Sequence, residues 1–304
     1  MNNFTTNTYE MKREIANFSK KLFEGATKPS SKFLMDMQYG LAKSGSCLIS
    51  NIARALDEDI KLSYTIERLC DNLADMNIED KKIIWKNYLR EVKNNVSEDE
   101  NVALFDDSDI NKEYSKKLED LDRVIDASSQ DKKIVNGYHT CETTILTKNE
   151  KQPISVYSKI YSCKSKGFIS KNTYTLESIK AVEEVVGNNF TGVFDRGYDD
   201  NKIFEYMTKN QHKFVVRVDD ERKLIFKGKR RSVEEVARTR KGKISYKALF
   251  NDNDEYELMI SYTKATLPYN KKEYTLIIVY GLSEEHPMKL LTNTEIKYKE
   301  DVIK

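Results

Sequence analysis

Residues 191–218, TGVFDRGYDDNKIFEYMTKNQHKFVVRV, constrain the fold more tightly than any other stretch of the chain. The apolar run TGVF has strand character and ends on Asp195. Asp199 or Asp200 can then cap a helix that buries Ile203, Phe204, Tyr206 and Met207, and KFVVRV reads as a second strand. Asp and Gly are common turn residues, so Asp195 followed by Arg196 and Gly197 can be a plain turn. Asp195 can equally be a metal ligand held at a strand tip, and one acid does not decide between the two.

The segment before it supplies the rest of a sheet. VALF (102–105) is a continuous apolar run leading into DDSD, as expected of a strand buried on both faces. GYHTCETTILTK and PISVYSKIYSC are strand-like runs rich in β-branched and aromatic residues, with NEKQ as a hairpin-like turn between them. Thr175 can cap a helix whose buried stripe is Leu176, Ile179, Val182, Val185 and Val186. The order is therefore β-β-β-α-β-α-β, an α/β (α+β mixed) sheet with helices packed against it. That is the strand order of the RNase H-like nucleotidyl-transferase core. Residues 220–286 read as a β-rich, basic insertion into that core, which begins at 98–219. Within 287–304, KLLTN returns to a strand and YKEDVIK begins a helix.

Residues 1–97 have a different period. SSKFLMDMQYGLA puts Phe33, Leu34, Met37 and Leu41 at helical spacing, Ser46 can cap CLISNIARAL, and Ile66, Leu69, Leu73 and Met76 continue the pattern. Ile83, Ile84, Tyr88 and Leu89 mark one more helix. Short helices joined by short turns make a bundle. Segments 47–56 and 64–75 have the proportions of a helix-turn-helix, which would make the helical domain 1–97 a DNA-binding one, but an ordinary bundle has the same spacing and is the plainer reading. NNVSEDEN (94–101) is polar and aperiodic, and a domain boundary is placed there.

Charge separates the regions further. The net charge is only +2, and residues 1–100 carry 15 basic against 16 acidic side chains. Residues 226–243, FKGKRRSVEEVARTRKGK, carry eight basic against two acidic. Lys227, Lys229, Arg230, Arg231, Arg238, Arg240, Lys241 and Lys243 can contact phosphates, or form a solvated loop. Phe226, Tyr246 and Phe250 around them read as sheet core. The four cysteines, Cys47, Cys70, Cys141 and Cys163, have no CxxC spacing and read as reduced thiols of a cytoplasmic protein. His139 and Cys141 are two residues apart, but with no other such ligands near in sequence they read as ordinary strand positions. There is no secretory h-region and no apolar run long enough to span a bilayer.

Two apolar strands each run into an acid, at Asp106 and Asp195. In this topology the strands are neighbours with their C-terminal ends side by side. Two carboxylates so placed repel unless a cation neutralises them, so a divalent metal is expected there. Mg²⁺ takes hard oxygen ligands, and pairs of such ions catalyse phosphodiester cleavage and transfer.

At these residues the chain resembles bacterial DDE transposases of the IS-four-type insertion-sequence group. VALFDDSDINKEY and VFDRGYDDNKIFEYMTKNQHKFVVRV are similar to the first and second acidic motifs of that group, and SCLISNIARALDEDIKLSYTIERLCDNL, NGYHT and KLLTN add to the likeness, which covers roughly residues 30–304. The resemblance implies Asp106 and Asp195 as catalytic metal ligands, with Asp107 as the alternative to Asp106. It implies Mg²⁺ or Mn²⁺, two ions in an intact member, and double-stranded DNA (element ends and target) as partner, with a homodimer in a synaptic complex and a cytoplasmic, nucleoid-associated location. The family's third acid is a Glu in a Tyr-x2-Arg-x3-Glu-x6-Lys signature. Neither Glu295 nor Glu300 has that context, so the Glu is expected beyond Lys304 and activity is expected to be impaired. The alternative is a DNA-binding remnant or regulator without catalysis. Arg196 and Arg217 are expected to pair with the acids or to contact a phosphate.

Overall fold

A computed structural model describes the whole chain except residues 1, 2, 127, 128, 130, 150, 251–253, 283–285 and 304, and it divides into two compact units, Met1–Asn94 and Asn95–Lys304. The first is helical, with α1 (Asn3–Leu22), α2 (Lys28–Ser44), α3 (Ile49–Leu56), α4 (Leu62–Ala74) and α5 (Ile78–Asn95). Phe33, Ile52, Ala53 and Leu69 form its buried centre, with Leu34, Met37, Ile49, Leu56, Ile66 and Met76 packed around them. Leu41 and Leu73, expected on the buried stripe, are exposed. Ser46 does not cap α3: the helix begins three residues later, behind Leu48, and the Ser46 hydroxyl instead accepts from Leu48 N and Asn51 Nδ2. Buried Asp80 of α5 accepts from the backbone and hydroxyl of Thr27, tying the start of α2 to α5.

The second unit is a mixed α/β structure. Its elements run β1 (Asn101–Asn111), β2 (Asp122–Ile125), β3 (Ile134–Leu146), β4 (Pro153–Tyr161), α6 (Lys171–Val186), β5 (Phe190–Phe194), α7 (Asn201–Lys209), β6 (Lys213–Arg217), β7 (Lys223–Phe226), β8 (Lys229–Ser232), α8 (Val233–Arg238), β9 (Ile244–Phe250), β10 (Asp254–Thr266), β11 (Glu273–Tyr280) and β12 (Met288–Thr292). The expected β-β-β-α-β-α-β order is there, with the short strand β2 added. Among the described residues the strands form one sheet, ordered β2-β3-β1-β5-β6-β12-β11-β10-β7-β8, with β4 on β3 and β9 on β10. Strand β12 pairs antiparallel with β6 and with β11. The β-rich stretch 220–285 therefore extends the same hydrogen-bonded sheet.

The sheet is parallel only at its centre, where β1, β5 and β6 align. There the helical crossovers α6 and α7 bury one face. Ala103, Phe105, Phe190, Gly192, Phe194, Phe214 and Val216 point into it, against Ile179, Val182 and Val185 of α6 and Ile203, Phe204 and Met207 of α7. Each buried Val, Ile, Phe or Met among them contributes roughly 1.5–3 kcal/mol by leaving water. Gly192 is needed at its position: a Cβ there would lie 2.6 Å from the Phe194 ring and 3.0 Å from the Met207 methyl.

Helix α6 starts behind Ser170, and Thr175 is fully buried inside it rather than capping it. For α7 the cap is Asp200, whose carboxylate accepts from Lys202 N. Asp199 is instead buried in an ion pair with Arg222, and burial raises its pKa despite that partner. YKEDVIK forms a 3-10 turn at Lys299–Val302. Among the described residues no helix is long and apolar enough to cross a membrane.

Candidate active site

Strands β1 and β5 pair in parallel from Asn101↔Phe190 to Phe105↔Phe194. The last pair is stacked, with ring centroids 4.3 Å apart, so the two strands are in register with the same side chains on the same face. The next residue on each strand is an acid. Asp195 keeps extended dihedrals (φ −73°, ψ 172°) before the 3-10 turn Arg196–Tyr198. Its side chain therefore leaves the face opposite Phe194, as Asp106 leaves the face opposite Phe105. Neighbouring strands lie about 4.8 Å apart, so Asp106 and Asp195 emerge side by side, both exposed.

One expectation differs from the structure. β1 does not stop at Phe105: it runs on to Asn111 along β3, and Asp106 is paired with Glu142 in the middle of a strand. The apolar run ends because β1 outlives its parallel neighbour β5, leaving its farther half with β3 alone. Directly paired residues share a face, so Glu142 lies on the Asp106 side, and its carboxylate accepts from Ser158 Oγ at 2.6 Å. Arg217 ends β6 one residue beyond Val216, the partner of Phe194, which puts it on that face too. The row across the open face is thus Ser158, Glu142, Asp106, Asp195 and Arg217. Sequence reasoning missed Glu142, whose only signal is its place in the pairing register. Among the described residues, no third carboxylate, His or Cys joins Asp106 and Asp195 in a ligand group within 4.8 Å.

Asp107 is in different company. It sits on the Phe105 face, largely buried, with Lys171 Nζ 2.6 Å from its carboxylate. Tyr198, buried beneath Phe194, stands beside it, and Lys171 Nζ lies 5.2 Å from the Tyr198 ring centre. Burial first, then the Asp107 charge, pushes the Tyr198 hydroxyl well up, and the same two causes raise the Cys141 thiol to about 12. The Lys171–Asp107 contact ties the first turn of α6 to β1. His139 does not share a site with Cys141: its Nδ1 is 2.7 Å from Asp109 Oδ1, while Cys141 faces Asp107.

Arg196 and Arg217 form no ion pair among the described residues, contrary to the structural pairing expected of an arginine beside an acid. Both are exposed, and together they line a cleft of about 130 Å³ with His286 and Lys289. Lys289 is itself committed, buried between Asp220 at 2.7 Å and Glu234.

The basic cluster divides by partner. Lys227 and Gly228 both have positive φ (49° and 72°), the turn that joins β7 to β8. Ser232 and Glu235 then form a capping box that starts α8, a short helix inside the stretch expected to be β-rich; SVEE is its sequence signal. Arg240 is structural, donating to Tyr262 O at 2.8 Å and to Ser261 Oγ at 3.3 Å, and Arg238 pairs with Glu234. Arg230 lines a larger cleft, about 460 Å³, with Asp199, Asp219 and Arg222. Lys227, Lys229, Lys241 and Lys243 are exposed and Arg231 is half-buried. Phe226 is buried, Tyr246 is exposed, and the side chain of Phe250 lies outside the described residues.

The chain matches no protein-family model and no curated protein. Among solved structures it is similar to a piggyBac transposase in a synaptic complex with hairpin DNA, at 12% identity and a TM-score of 0.45, over 90% of this chain and 53% of that one. It is also similar to human ENDOV, at 11% identity and a TM-score of 0.26, over 68% of this chain and 81% of that one. The chain spans about half the length of the transposase chain it matches.

Proposed function

We propose that the chain is a DNA-processing protein of the DDE transposase kind, of the insertion-sequence type, with Asp106 and Asp195 as ligands for divalent metal. The observation that carries this reading is the in-register parallel ladder of β1 and β5, whose last pair is followed on each strand by an acid. The donor set fits the ion: two exposed, hard carboxylates suit Mg²⁺ or Mn²⁺, with water and phosphate filling the remaining positions. When bound, a pair of such ions would activate the attacking oxygen and stabilise the leaving oxygen of a phosphodiester.

The protein's own contribution is rigidity and charge. The stacked Phe105–Phe194 pair fixes the backbone just before each carboxylate, mid-strand on β1 and at the end of β5. Arg196 and Arg217, without carboxylate partners, are free to hold a phosphate beside Asp195. Lys227, Lys229, Lys241 and Lys243 would add sequence-independent contacts to the DNA backbone. The helical unit, through α3 and α4, would bind the element's ends, and joining two ends would call for a second copy of the chain.

The test is strand cleavage of supercoiled DNA carrying the sequences that flank the gene, in Mg²⁺ or Mn²⁺. Cleavage that needs the metal and disappears in Asp195→Asn supports the reading. Salt-dependent DNA binding with no cleavage in the unaltered chain leaves a DNA-binding regulator in its place.

A further inference from the structure

A second group of ligand-type side chains lies on the opposite face of the sheet and is independent of the proposal above. Strands β2 and β4 pair with the same edge of β3, end to end: β2 begins at Asp122 opposite Gly137, and β4 ends at Tyr161 opposite His139. At that junction the chain leaving β4 turns through Ser162 and Cys163. Asp122, His139 and Cys163 meet there, with ligand atoms all within 4.8 Å of one another. His139 Nε2 is 3.8 Å from Asp122 Oδ2. Lys164 Nζ donates to Leu121 O at 2.7 Å, which straps the turn to the start of β2.

The surroundings orient all three groups. Asp109, the cross-strand partner of His139, accepts from its Nδ1–H at 2.7 Å. With the proton on Nδ1, the Nε2 lone pair faces Asp122 and Cys163, the carboxylate–histidine arrangement that supports metal-binding imidazoles. The Asp122 carboxylate is held by Arg123 N at 2.8 Å and Cys163 N at 2.7 Å. The Cys163 thiol donates to the Asp122 carboxylate, and a cation taking that proton's place would have all three groups as donors.

We propose that Asp122, His139 and Cys163 bind one Zn²⁺-class cation, with Asp109 as the positioning residue behind His139. A mixed N, O and S donor set suits Zn²⁺ and not Mg²⁺. Bond lengths of about 2.0–2.3 Å in a tetrahedron place donors about 3.3–3.7 Å apart, so from separations within 4.8 Å the group closes by about 1.5 Å at most on binding. Asp122 is buried and Cys163 exposed, so the fourth position opens to solvent, in a cleft of about 320 Å³ walled by Tyr161 and Lys171. The ion would clamp β2 and the exit of β4 to β3.

The experiment is titration of the metal-stripped full chain with Co²⁺ and then Zn²⁺, together with thermal melts. One equivalent of Co²⁺ is expected to give tetrahedral visible bands and a thiolate charge-transfer band, both abolished by Zn²⁺. Zn²⁺ is expected to raise the melting temperature. Cys163→Ser and His139→Asn should lose the charge-transfer band and the Zn²⁺ effect, whereas Cys47→Ser and Cys70→Ser should keep both. Asp109→Asn should bind about 10- to 100-fold more weakly. Cys163 is exposed, so Cys163→Ser should melt like the metal-free unaltered chain, which separates lost binding from lost fold. No stoichiometric binding, a charge-transfer band that survives Cys163→Ser, or equal Zn²⁺ affinity in His139→Asn overturns the proposal.

Discussion

The two faces of β1 carry acids in opposite circumstances. On one face Asp106 is exposed, aligned with Asp195 and Glu142, and no cationic side chain forms an ion pair with it among the described residues. On the other, Asp107 pairs with Lys171 and Asp109 accepts a hydrogen bond from His139, both beside the cleft that Tyr161 lines. Alternate residues on a single strand thus divide into acids already partnered within the fold and an acid left for something outside it. Under the proposed function, that difference is the reason to assign the metal to Asp106 and not Asp107, a choice the run FDDSD does not make by itself.

The sharpest way to break that comparison is to exchange the roles. Asp106→Asn and Asp195→Asn are expected to lower metal-dependent cleavage on the order of 100-fold or more, with the melting temperature nearly unchanged, because both side chains are exposed. Glu142→Gln should reduce it less. An Asp107→Asn variant that loses cleavage while keeping its stability would reverse the assignment.

Next in size is the floor beneath both faces. Phe194→Ala removes half of the stacked pair and is expected to cost about 3–5 kcal/mol in denaturant melts. A smaller loss would mean that the strand ends are not set by that stack. Lys171→Met leaves the Asp107 carboxylate buried without its cation and is expected to cost about 1–3 kcal/mol.

The smallest effect belongs to the helical unit, as a reference far from these acids in sequence. Burial alone would raise Glu58, but the Thr65 hydroxyl and the Arg68 guanidinium outweigh it and hold the carboxyl below its usual value. Hydrogen bonds from Ser30 and Thr27 do the same for Asp80. Both acids are depressed on folding, so their stabilisation is complete above the ordinary carboxylate range and is lost as pH falls through it. Acid melts followed between about pH 5 and pH 2 should show this loss, reduced in Glu58→Gln.

The sheet was legible because its signals are local. The apolar runs at 102–105, 154–161, 191–194 and 213–218 each became strand, and the stripe Ile179, Val182, Val185 became the buried side of α6. What failed depended on neighbours in space. Thr175 and Ser46 have the chemistry of caps, yet the helices begin behind Ser170 and Leu48. The polar half of β1 looks like a loop, yet pairing with β3 keeps it extended. Asp122 and Cys163 are separated by 41 positions, and only the end-to-end placement of β2 and β4 brings them to His139. Asp106 beside Asp195 sat between these cases: the residues were visible, but the register that aligns them was not.

In the proposed function Asp106 and Asp195 hold a divalent cation between the neighbouring strands β1 and β5. Anomalous diffraction from crystals of the chain soaked in Mn²⁺ tests it most directly. The account predicts a Mn²⁺ peak bridging the Asp106 and Asp195 carboxylates, absent in Asp195→Asn crystals. A peak ligated by Asp107 instead, or no peak between Asp106 and Asp195 at saturating Mn²⁺, would contradict it.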